Sequence, residues 1–130
     1  MIVVDASFAI EASLTSGGLL RLRGKDAIAP ALMWSEAASV LHEMQWRKAI
    51  SPKLALAALA RLSESPIRLR RPPGLLALAW EIADKRGWAK TYDAEYLALA
   101  KHSNCPLLTL DAKLAKAAQD LVPILAPGDL

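Results

Sequence analysis

The stretch PLLTLDAKLAKAA, residues 106–118, places a short apolar run in front of one acid, Asp111, and an Ala/Leu-rich segment behind it. The run predicts a buried strand over 106–110 that ends at the acid, and the segment behind it predicts a helix over 112–120. A short strand that leads directly into a helix is typical of a parallel sheet with helices on its faces.

The first ten residues, MIVVDASFAI, repeat this arrangement. Ile2–Val4 is a β-branched run, which is typical of strands, and it ends at Asp5. Ser7 is a suitable N-cap for a helix over about 7–14. The two ends of the chain therefore predict the same succession of a strand, an acid and a helix.

The chain between these ends alternates in the same way. Helices are predicted over about 31–49, 52–63, 75–86 and 93–103, with one further helical turn over 19–24, and strands over 27–29, 67–69 and 122–125. No segment is long enough to link two separate domains. The sequence thus predicts a single domain over 1–130, an α/β sandwich with a parallel sheet.

Length and composition fit one globular domain. The chain has 130 residues, of which 54% are hydrophobic and 22% are charged, and this balance excludes intrinsic disorder. No apolar run approaches the roughly 18 residues of a membrane span, and Asp5 argues against a signal peptide. A single cysteine excludes an internal disulfide and a cysteine-based zinc site, so we expect a cytoplasmic protein. The net charge of +3 is compatible with a polyanionic partner without demonstrating one.

Asp5 and Asp111 are expected to lie side by side. Right-handed crossovers place the first strand beside the strand over 106–110, at the point where the winding of the sheet reverses. Ligands of such sheets bind at this point, at the carboxyl ends of the strands. Two further acids are candidates for the same site: Asp93 opens a predicted helix, and Glu36 interrupts an otherwise apolar stretch of the longest predicted helix.

Each of these acids also has a structural interpretation. Asp5 and Asp111 suit the N-caps of the helices behind them. Asp93 suits the first turn of a helix, and Glu36 suits a solvated helix face. Gathered together, however, like charges favour a bound proton or cation. Because no histidine or cysteine accompanies them, their oxygens would suit Mg²⁺ or Mn²⁺, which binds phosphate oxygens and lowers the pKa of a bound water.

Two hydroxyl residues, Ser7 and Thr109, each stand two positions from one of these acids. Either hydroxyl could hydrogen-bond a carboxylate or a metal-bound water. Alternatively, Ser7 caps the helix behind it, and the hydroxyl of Thr109 hydrogen-bonds to the backbone of its own buried strand. The spacing alone leaves both interpretations open.

The acids stand in four segments: VVDAS at 3–7, WSEAASVL at 34–41, TYDAEYLALA at 91–100 and LLTLDAKLAKAA at 107–118. These segments resemble the four acidic motifs of PIN domains. They resemble most closely those of the single-domain VapC-type toxins of bacterial and archaeal toxin–antitoxin pairs. The resemblance extends from Met1 to about Leu125, and the order and spacing of the motifs agree throughout.

The resemblance implies a PIN-like three-layer α/β/α sandwich with a five-stranded parallel sheet. It implies an endoribonuclease that depends on Mg²⁺ or Mn²⁺, acts on RNA, forms a homodimer and is paired with an antitoxin protein. The metal-site and catalytic acids of the family correspond to Asp5, Glu36, Asp93 and Asp111. Its supporting hydroxyl groups correspond to Ser7 and Thr109.

Two positions depart from the family pattern. Ser39 stands where members often have asparagine, and Lys113 stands where some members have a further acid. A second metal would then be weakly held or absent, and a non-catalytic RNA-binding PIN-like module is the alternative function. A receiver-like phosphoacceptor domain also clusters acids around Mg²⁺, but a helical Glu36 and the Thr-x-Asp order at 109–111 fit it badly.

Several uncharged or weakly charged residues have structural interpretations. His42 and His102 are expected at the solvated surface. Cys105 is expected as a buried residue before the strand that follows it. Trp34 and Trp46 are expected to pack in the core, with a dimer interface as the alternative.

Charged residues outside the motifs have open interpretations. Three acids are expected at the surface, with support of the site as the alternative: Glu11, Glu43 and Glu95. Two basic groups could follow a phosphate backbone, contact an antitoxin or be solvated: the group Arg21, Arg23 and Lys25, and the group Arg68, Arg70 and Arg71.

Overall fold

A five-stranded parallel sheet lies between two layers of helices in the computed structural model, which describes residues 1–130. The strands are β1 (Ile2–Val4), β2 (Ala27–Ala29), β3 (Arg68–Leu69), β4 (Leu107–Leu108) and β5 (Ile124–Leu125). The α-helices are α1 (Ala6–Ser13), α2 (Leu32–Trp46), α3 (Pro52–Ser63), α4 (Leu75–Arg86), α5 (Tyr92–Ser103) and α6 (Ala112–Ala118). Short 3₁₀ helices cover Leu19–Leu22 and Pro127–Asp129.

The strand order is β3-β2-β1-β4-β5, and every pair of neighbours is parallel. β1 is the central strand, and its Val4 pairs with Leu108 of β4. The chain leaves β1 in one direction through β2 and β3 and then returns to the other side of β1 at β4. This order confirms the predicted sandwich and the predicted neighbourhood of the two strands that precede Asp5 and Asp111.

The two helical layers follow from this winding. α1, α2 and α3 pack against one another, and α4 packs against α5. Residues Ala94 to Ala100 of α5 are buried except for Glu95, and this helix packs on β1. No helix has both the length and the apolar character that crossing a membrane requires.

Helix bounds in the first half of the chain differ from the predicted ones by up to three residues, and two of the differences have a clear physical cause. α1 begins one residue early, because Asp5 rather than Ser7 is its N-cap and accepts a hydrogen bond from the backbone N–H of Phe8. α2 ends at Trp46 instead of continuing to residue 49, because Lys48 adopts a left-handed conformation with φ of 60°.

Elements near the C-terminus are shorter than predicted. β4 ends at Leu108; the backbone N–H of Thr109 makes one more hydrogen bond to Leu125 O at 3.3 Å, and the chain then leaves the sheet toward α6. α6 ends at Ala118, and β5 begins only after Pro123, which has no N–H to donate to a neighbouring strand. α4, in contrast, has the predicted bounds, because Gly87 adopts the left-handed conformation of a helix C-cap.

Candidate active site

Asp5 lies where β1 meets α1, with only 4% of its surface exposed. Its Oδ1 accepts hydrogen bonds from Phe8 N at 3.1 Å and from Ser7 Oγ at 2.7 Å, and its Oδ2 accepts one from Thr109 Oγ1. Burial raises the pKa of this carboxyl; its three donors oppose the rise, and the charge of Asp111 adds to it. The side chain is therefore fixed in place and holds a proton more tightly than a solvated aspartate does.

Two hydroxyl groups join the ends of β1 and β4 around this carboxylate. The Thr109 hydroxyl accepts a hydrogen bond from Asp111 N at 3.0 Å. The Ser7 hydroxyl accepts one from Leu110 N at 2.9 Å, and the Ser7 and Thr109 oxygens lie 3.3 Å apart. Both hydroxyl groups thus contact the Asp5 carboxylate directly, which is the first of the two interpretations that the sequence leaves open.

Asp111 is exposed at the start of α6. Its Oδ1 accepts hydrogen bonds from Lys113 N at 2.9 Å and Leu114 N at 3.1 Å, so it caps the helix. Its charge nevertheless contributes to raising the pKa values of Asp5 and Asp93. Helix capping and a place in the acidic cluster are therefore compatible for this residue.

Glu36 is half-buried on α2 and is tied to α5 by one hydrogen bond. The hydroxyl of Tyr96 donates this bond to Oε1 of Glu36 at 2.6 Å. Burial raises the pKa of Glu36; the Tyr96 hydroxyl opposes the rise, and the charges of Asp93 and Asp5 add to it. Sequence reasoning missed Tyr96, although its position three residues after Asp93 places both on one side of a helix.

Two acids of α5 lie in the same region. Asp93, in the first turn, is exposed to solvent, yet the protein around it and then the charge of Asp111 raise its pKa. Glu95 is half-buried, and its pKa is raised by burial and then by the charge of Glu36. The structure thus favours the alternative interpretation of Glu95, a charge beside the site.

No basic side chain compensates the four predicted acids. The three salt bridges of the structure join Arg68 to Asp26, Lys85 to Glu81 and Arg86 to Asp120. The raised pKa values of Asp5, Glu36 and Asp93 come first from burial, and neighbouring carboxylates add to them. Partly buried carboxylates without a counter-charge favour a bound proton or cation.

The donor atoms of this cluster fit a hydrated Mg²⁺ or Mn²⁺ ion. They are all oxygens, since both histidines are exposed on helices outside the motifs and the cysteine is buried outside the cluster. No group of three or more histidine, cysteine, aspartate and glutamate side chains stands close enough to hold a metal ion together. Mg²⁺ keeps several waters and is held by one or two protein carboxylates, so it does not require three side chains to converge. Ligation by all four acids stays a prediction.

Two arginine side chains lie beside one acid outside the predicted four, Glu95. Arg70 and Arg71 follow β3, and Asp5 follows β1, so all three residues lie at the carboxyl ends of parallel strands. The two arginines line a groove together with Glu95. Arg68, the third basic residue of this group, is paired with Asp26 instead. Arg68 is thus neutralised by Asp26, whereas Arg70 and Arg71 form no salt bridge.

The other residues considered above have the following positions. His42 and His102 are exposed and Cys105 is buried, as predicted. Trp34 packs against the core, as predicted. The core prediction for Trp46 is wrong, because this residue ends α2, where the chain turns away, and is 80% exposed.

Comparisons of sequence identify relatives over nearly the whole chain. A family model described as the PIN domain matches residues 2–120. The VapC ribonuclease Mb0985 of Mycobacterium bovis is 35% identical to this chain over 125 residues, covering 95% of the chain and 96% of the relative. Ribonuclease VapC9 of Mycobacterium tuberculosis matches with the same identity and coverage.

Solved structures share the fold at lower identity. PAE2754 from Pyrobaculum aerophilum superposes with a TM-score of 0.77 at 23% identity, covering 98% of this chain and 91% of that one. The toxin VapC20 of M. tuberculosis superposes with a TM-score of 0.62 at 18% identity, covering 90% and 95%. Given its acidic motifs, its parallel five-stranded sheet and these matches, the chain belongs to the PIN-domain family, in the VapC group.

Proposed function

We propose that this protein is a Mg²⁺- or Mn²⁺-dependent endoribonuclease that hydrolyses phosphodiester bonds of RNA, and that it is the toxin of a VapBC-type toxin–antitoxin pair. The supporting observation is a cluster of uncompensated carboxylates in a chain that is 35% identical, over 95% of its length, to a protein named a ribonuclease. VapC20, which shares the fold, is described as a toxin that cleaves the sarcin–ricin loop.

Four acids would hold the hydrated cation, one or two of them directly and the others through its water molecules: Asp5, Glu36, Asp93 and Asp111. When bound, the cation supplies positive charge beside the phosphoryl oxygens and lowers the pKa of a water molecule. Asp5 contributes a carboxylate that three hydrogen-bond donors already fix in place. Ser7 and Thr109 orient this carboxylate and hold the ends of β1 and β4 together.

Glu36 or Asp93, whichever does not bind the cation directly, is suited to accept a proton. Burial raises their pKa values, and a carboxylate with a raised pKa is a better general base near neutral pH. The attacking water loses its proton to such a carboxylate as its oxygen bonds to phosphorus. The bond between phosphorus and the leaving oxygen then breaks, and the leaving oxygen takes up a proton from water, which completes hydrolysis of the phosphodiester.

Arg70 and Arg71 are suited to hold the RNA backbone. Neither is part of a salt bridge, and their guanidinium groups offer forked donors that match phosphate oxygens. Their groove is also lined by Glu95, whose pKa responds to the charge of Glu36. A strand held by the two arginines would therefore run toward the acids.

The test is cleavage of a labelled RNA by the purified protein with Mg²⁺ or Mn²⁺, repeated with EDTA. Cleavage that EDTA abolishes and excess Mn²⁺ restores would support the proposal. RNA binding without cleavage under all these conditions would favour the alternative, a non-catalytic RNA-binding PIN-like module. Ser39 and Lys113, where the chain departs from the family pattern, are the residues that allow this alternative.

The proposed partners in the cytoplasm are RNA, an antitoxin protein and a second copy of the chain. Large apolar side chains exposed on the helices, among them Trp46, Leu56 and Trp80, are of the kind that protein partners cover. A short reading frame directly upstream should encode a DNA-binding antitoxin. Its product should copurify with this chain and suppress RNA cleavage; a copurified pair with undiminished cleavage would contradict the assignment as a toxin.

A further inference from the structure

We infer that Tyr96 is a positioning residue of the acidic site, whose hydroxyl holds Oε1 of Glu36 and leaves Oε2 as the oxygen offered to a divalent cation or a water. The inference rests on the proposed function, because it assigns a role in that same site. The tyrosine stands inside the third acidic segment, TYDAEYLALA at 91–100, but the resemblance to the family assigns it no role.

The phenol ring of Tyr96 cannot move freely. Only 1% of the residue is exposed, and it lies in the buried face of α5, which packs on the central strand β1. Its hydroxyl reaches across to α2 and donates to Glu36 at 2.6 Å, between residues 60 positions apart in the chain. The backbone N–H of Ala6, next to Asp5, lies beside the same hydroxyl. The ring thus connects the two elements that carry Glu36 and Asp5.

Glu36 depends on this one donor. No other side chain or backbone group of the protein hydrogen-bonds to its carboxylate, and no basic residue pairs with it. Without the Tyr96 hydroxyl, the carboxylate would be free to rotate about the bonds of a flexible glutamate side chain. With it, one oxygen is occupied and the other has a defined position.

A tyrosine that served only to fill the core would not need to hydrogen-bond to the Glu36 carboxylate. A buried tyrosine needs a partner for its hydroxyl, and a backbone carbonyl would serve this purpose without involving a charge. Here the hydroxyl donates to a carboxylate instead, which gives a charge-assisted and strongly directional bond. Groups that orient a ligand in this way affect metal affinity by about 10- to 100-fold when they are removed.

The experiment measures Mn²⁺ binding to the metal-free protein by calorimetry, together with RNA cleavage. Tyr96→Phe keeps the ring and removes the hydroxyl. We expect the Kd for Mn²⁺ to rise about 10-fold and kcat at limiting Mn²⁺ to fall by a similar factor, with KM for RNA within about twofold of wild type. The matched control is Ser13→Ala, which removes another buried hydroxyl, bonded at 2.7 Å to Ile10 O, without contact to any of the four acids.

A double-mutant cycle separates positioning from general stability. In a Glu36→Gln background, where the carboxylate charge is absent, Tyr96→Phe should change the Kd for Mn²⁺ by less than about twofold. A folded Tyr96→Phe protein with wild-type Mn²⁺ affinity would overturn the inference, as would equal effects in both backgrounds. Should Tyr96→Phe not fold, Tyr96→Met replaces it, and failure of both to fold would assign the hydroxyl to stability alone and overturn the inference.

The Mn²⁺-binding measurement tests the role of Tyr96 even if the proposed RNA cleavage is not observed. If the wild-type protein binds Mn²⁺ but cleaves no RNA, the proposed function fails and calorimetry still decides the role of Tyr96. If the wild-type protein binds no Mn²⁺, the inference fails with it.

Discussion

Thr109 donates its hydroxyl hydrogen to Oδ2 of Asp5, a bond that joins the ends of two neighbouring strands across 104 residues of chain. The same hydroxyl oxygen accepts the backbone N–H of Asp111. A single atom therefore lies between the two acids that follow β1 and β4. This hydroxyl adds to the strand pairing of Val4 with Leu108 in fixing their relative position.

Replacement of Thr109 by valine should impair both folding and cleavage. Thr109→Val keeps the shape and leaves a buried carboxylate oxygen and the N–H of Asp111 without their partner. We expect a loss of about 1–3 kcal/mol in the free energy of unfolding, measured by urea denaturation. Cleavage should fall by about 10-fold or more, because Asp5 is no longer held from that side.

Thr109→Ser is the control, since it retains the hydroxyl and removes only a methyl group. It should keep cleavage within a few-fold of wild type, a difference of less than about 1 kcal/mol in the barrier. If valine and serine reduced cleavage equally, the methyl packing and not the hydroxyl would be responsible.

The stability of the metal-free protein should depend on pH through the three acids whose pKa values are raised. The pKa values of Asp5, Glu36 and Asp93 are raised above 3.8, 4.5 and 3.8, so the folded state binds these protons more tightly than the unfolded state. Their contribution to the free energy of unfolding is therefore present below those values and is lost as the pH rises through the folded pKa values.

Asp5→Asn tests whether the raised pKa of Asp5 makes the stability of the folded protein depend on pH. The variant has no proton to lose at this position, so its stability relative to wild type should increase as the pH is raised from about 4 toward 7. Urea denaturation of both proteins across this range, without metal, gives the difference directly. A difference that stayed constant or narrowed with rising pH would contradict the raised pKa of Asp5.

The fold was predictable from the sequence wherever an apolar run ends at a distinctive residue. β1 ends before Asp5 and β2 ends before Pro30, and α3 begins at Pro52 behind a serine cap. The end of α2 was not predictable, because the residue that turns left-handed there is Lys48, a type that seldom adopts this conformation.

The site was predictable only in part, because strand order can be inferred from the sequence and the packing of one helix on another cannot. The neighbourhood of Asp5 and Asp111 follows from strand order, which chain connectivity restricts to few possibilities. The contact of Tyr96 with Glu36 and the place of Glu95 depend on how α5 packs against α2, and no local pattern reports such packing. Burial raises the pKa values of Asp5 and Glu36 more than neighbouring carboxylates do, whereas the sequence pattern indicates only the repulsion between like charges.

Addition of Mn²⁺ or Mg²⁺ should stabilise the protein. An ion that binds only the folded state adds about 2.7 kcal/mol at 100 times its Kd, which raises the melting temperature. Thermal denaturation at increasing Mn²⁺ concentration checks this, and EDTA should reverse it. Glu43→Gln, which removes an exposed acid from the same helix as Glu36, should leave the shift unchanged. No shift at millimolar Mn²⁺ would count against the metal site.

The protein should form a homodimer. Leu76 and Trp80 lie one helical turn apart on α4 and are 68% and 69% exposed, an apolar pair that a second copy would cover. Sedimentation at micromolar concentration should give a dimer, and Trp80→Glu should shift it toward the monomer. Ala60→Glu is the control, because it adds the same charge at an exposed position of another helix, α3, outside this apolar pair. A strict monomer in the wild type would reject the prediction.

Asp5→Asn and His102→Ala, measured side by side on one RNA, decide between a mechanism based on acids and a metal and one based on histidine. Asp5 is buried at the end of the central strand, and asparagine keeps its shape while removing the charge that attracts Mg²⁺. Cleavage should fall by at least about 100-fold, the scale for losing one electrostatic stabiliser of a transition state. Circular dichroism should show that the variant is folded.

His102 is exposed near the end of α5, on the opposite end of that helix from Asp93. His102→Ala should therefore leave cleavage within about threefold of wild type, less than about 1 kcal/mol of barrier. An active Asp5→Asn protein would overturn the proposed role of the carboxylates, because the most buried of them would then be dispensable. A folded but inactive His102→Ala protein would do the same, since the general base would then be an imidazole that no acid of the cluster contacts.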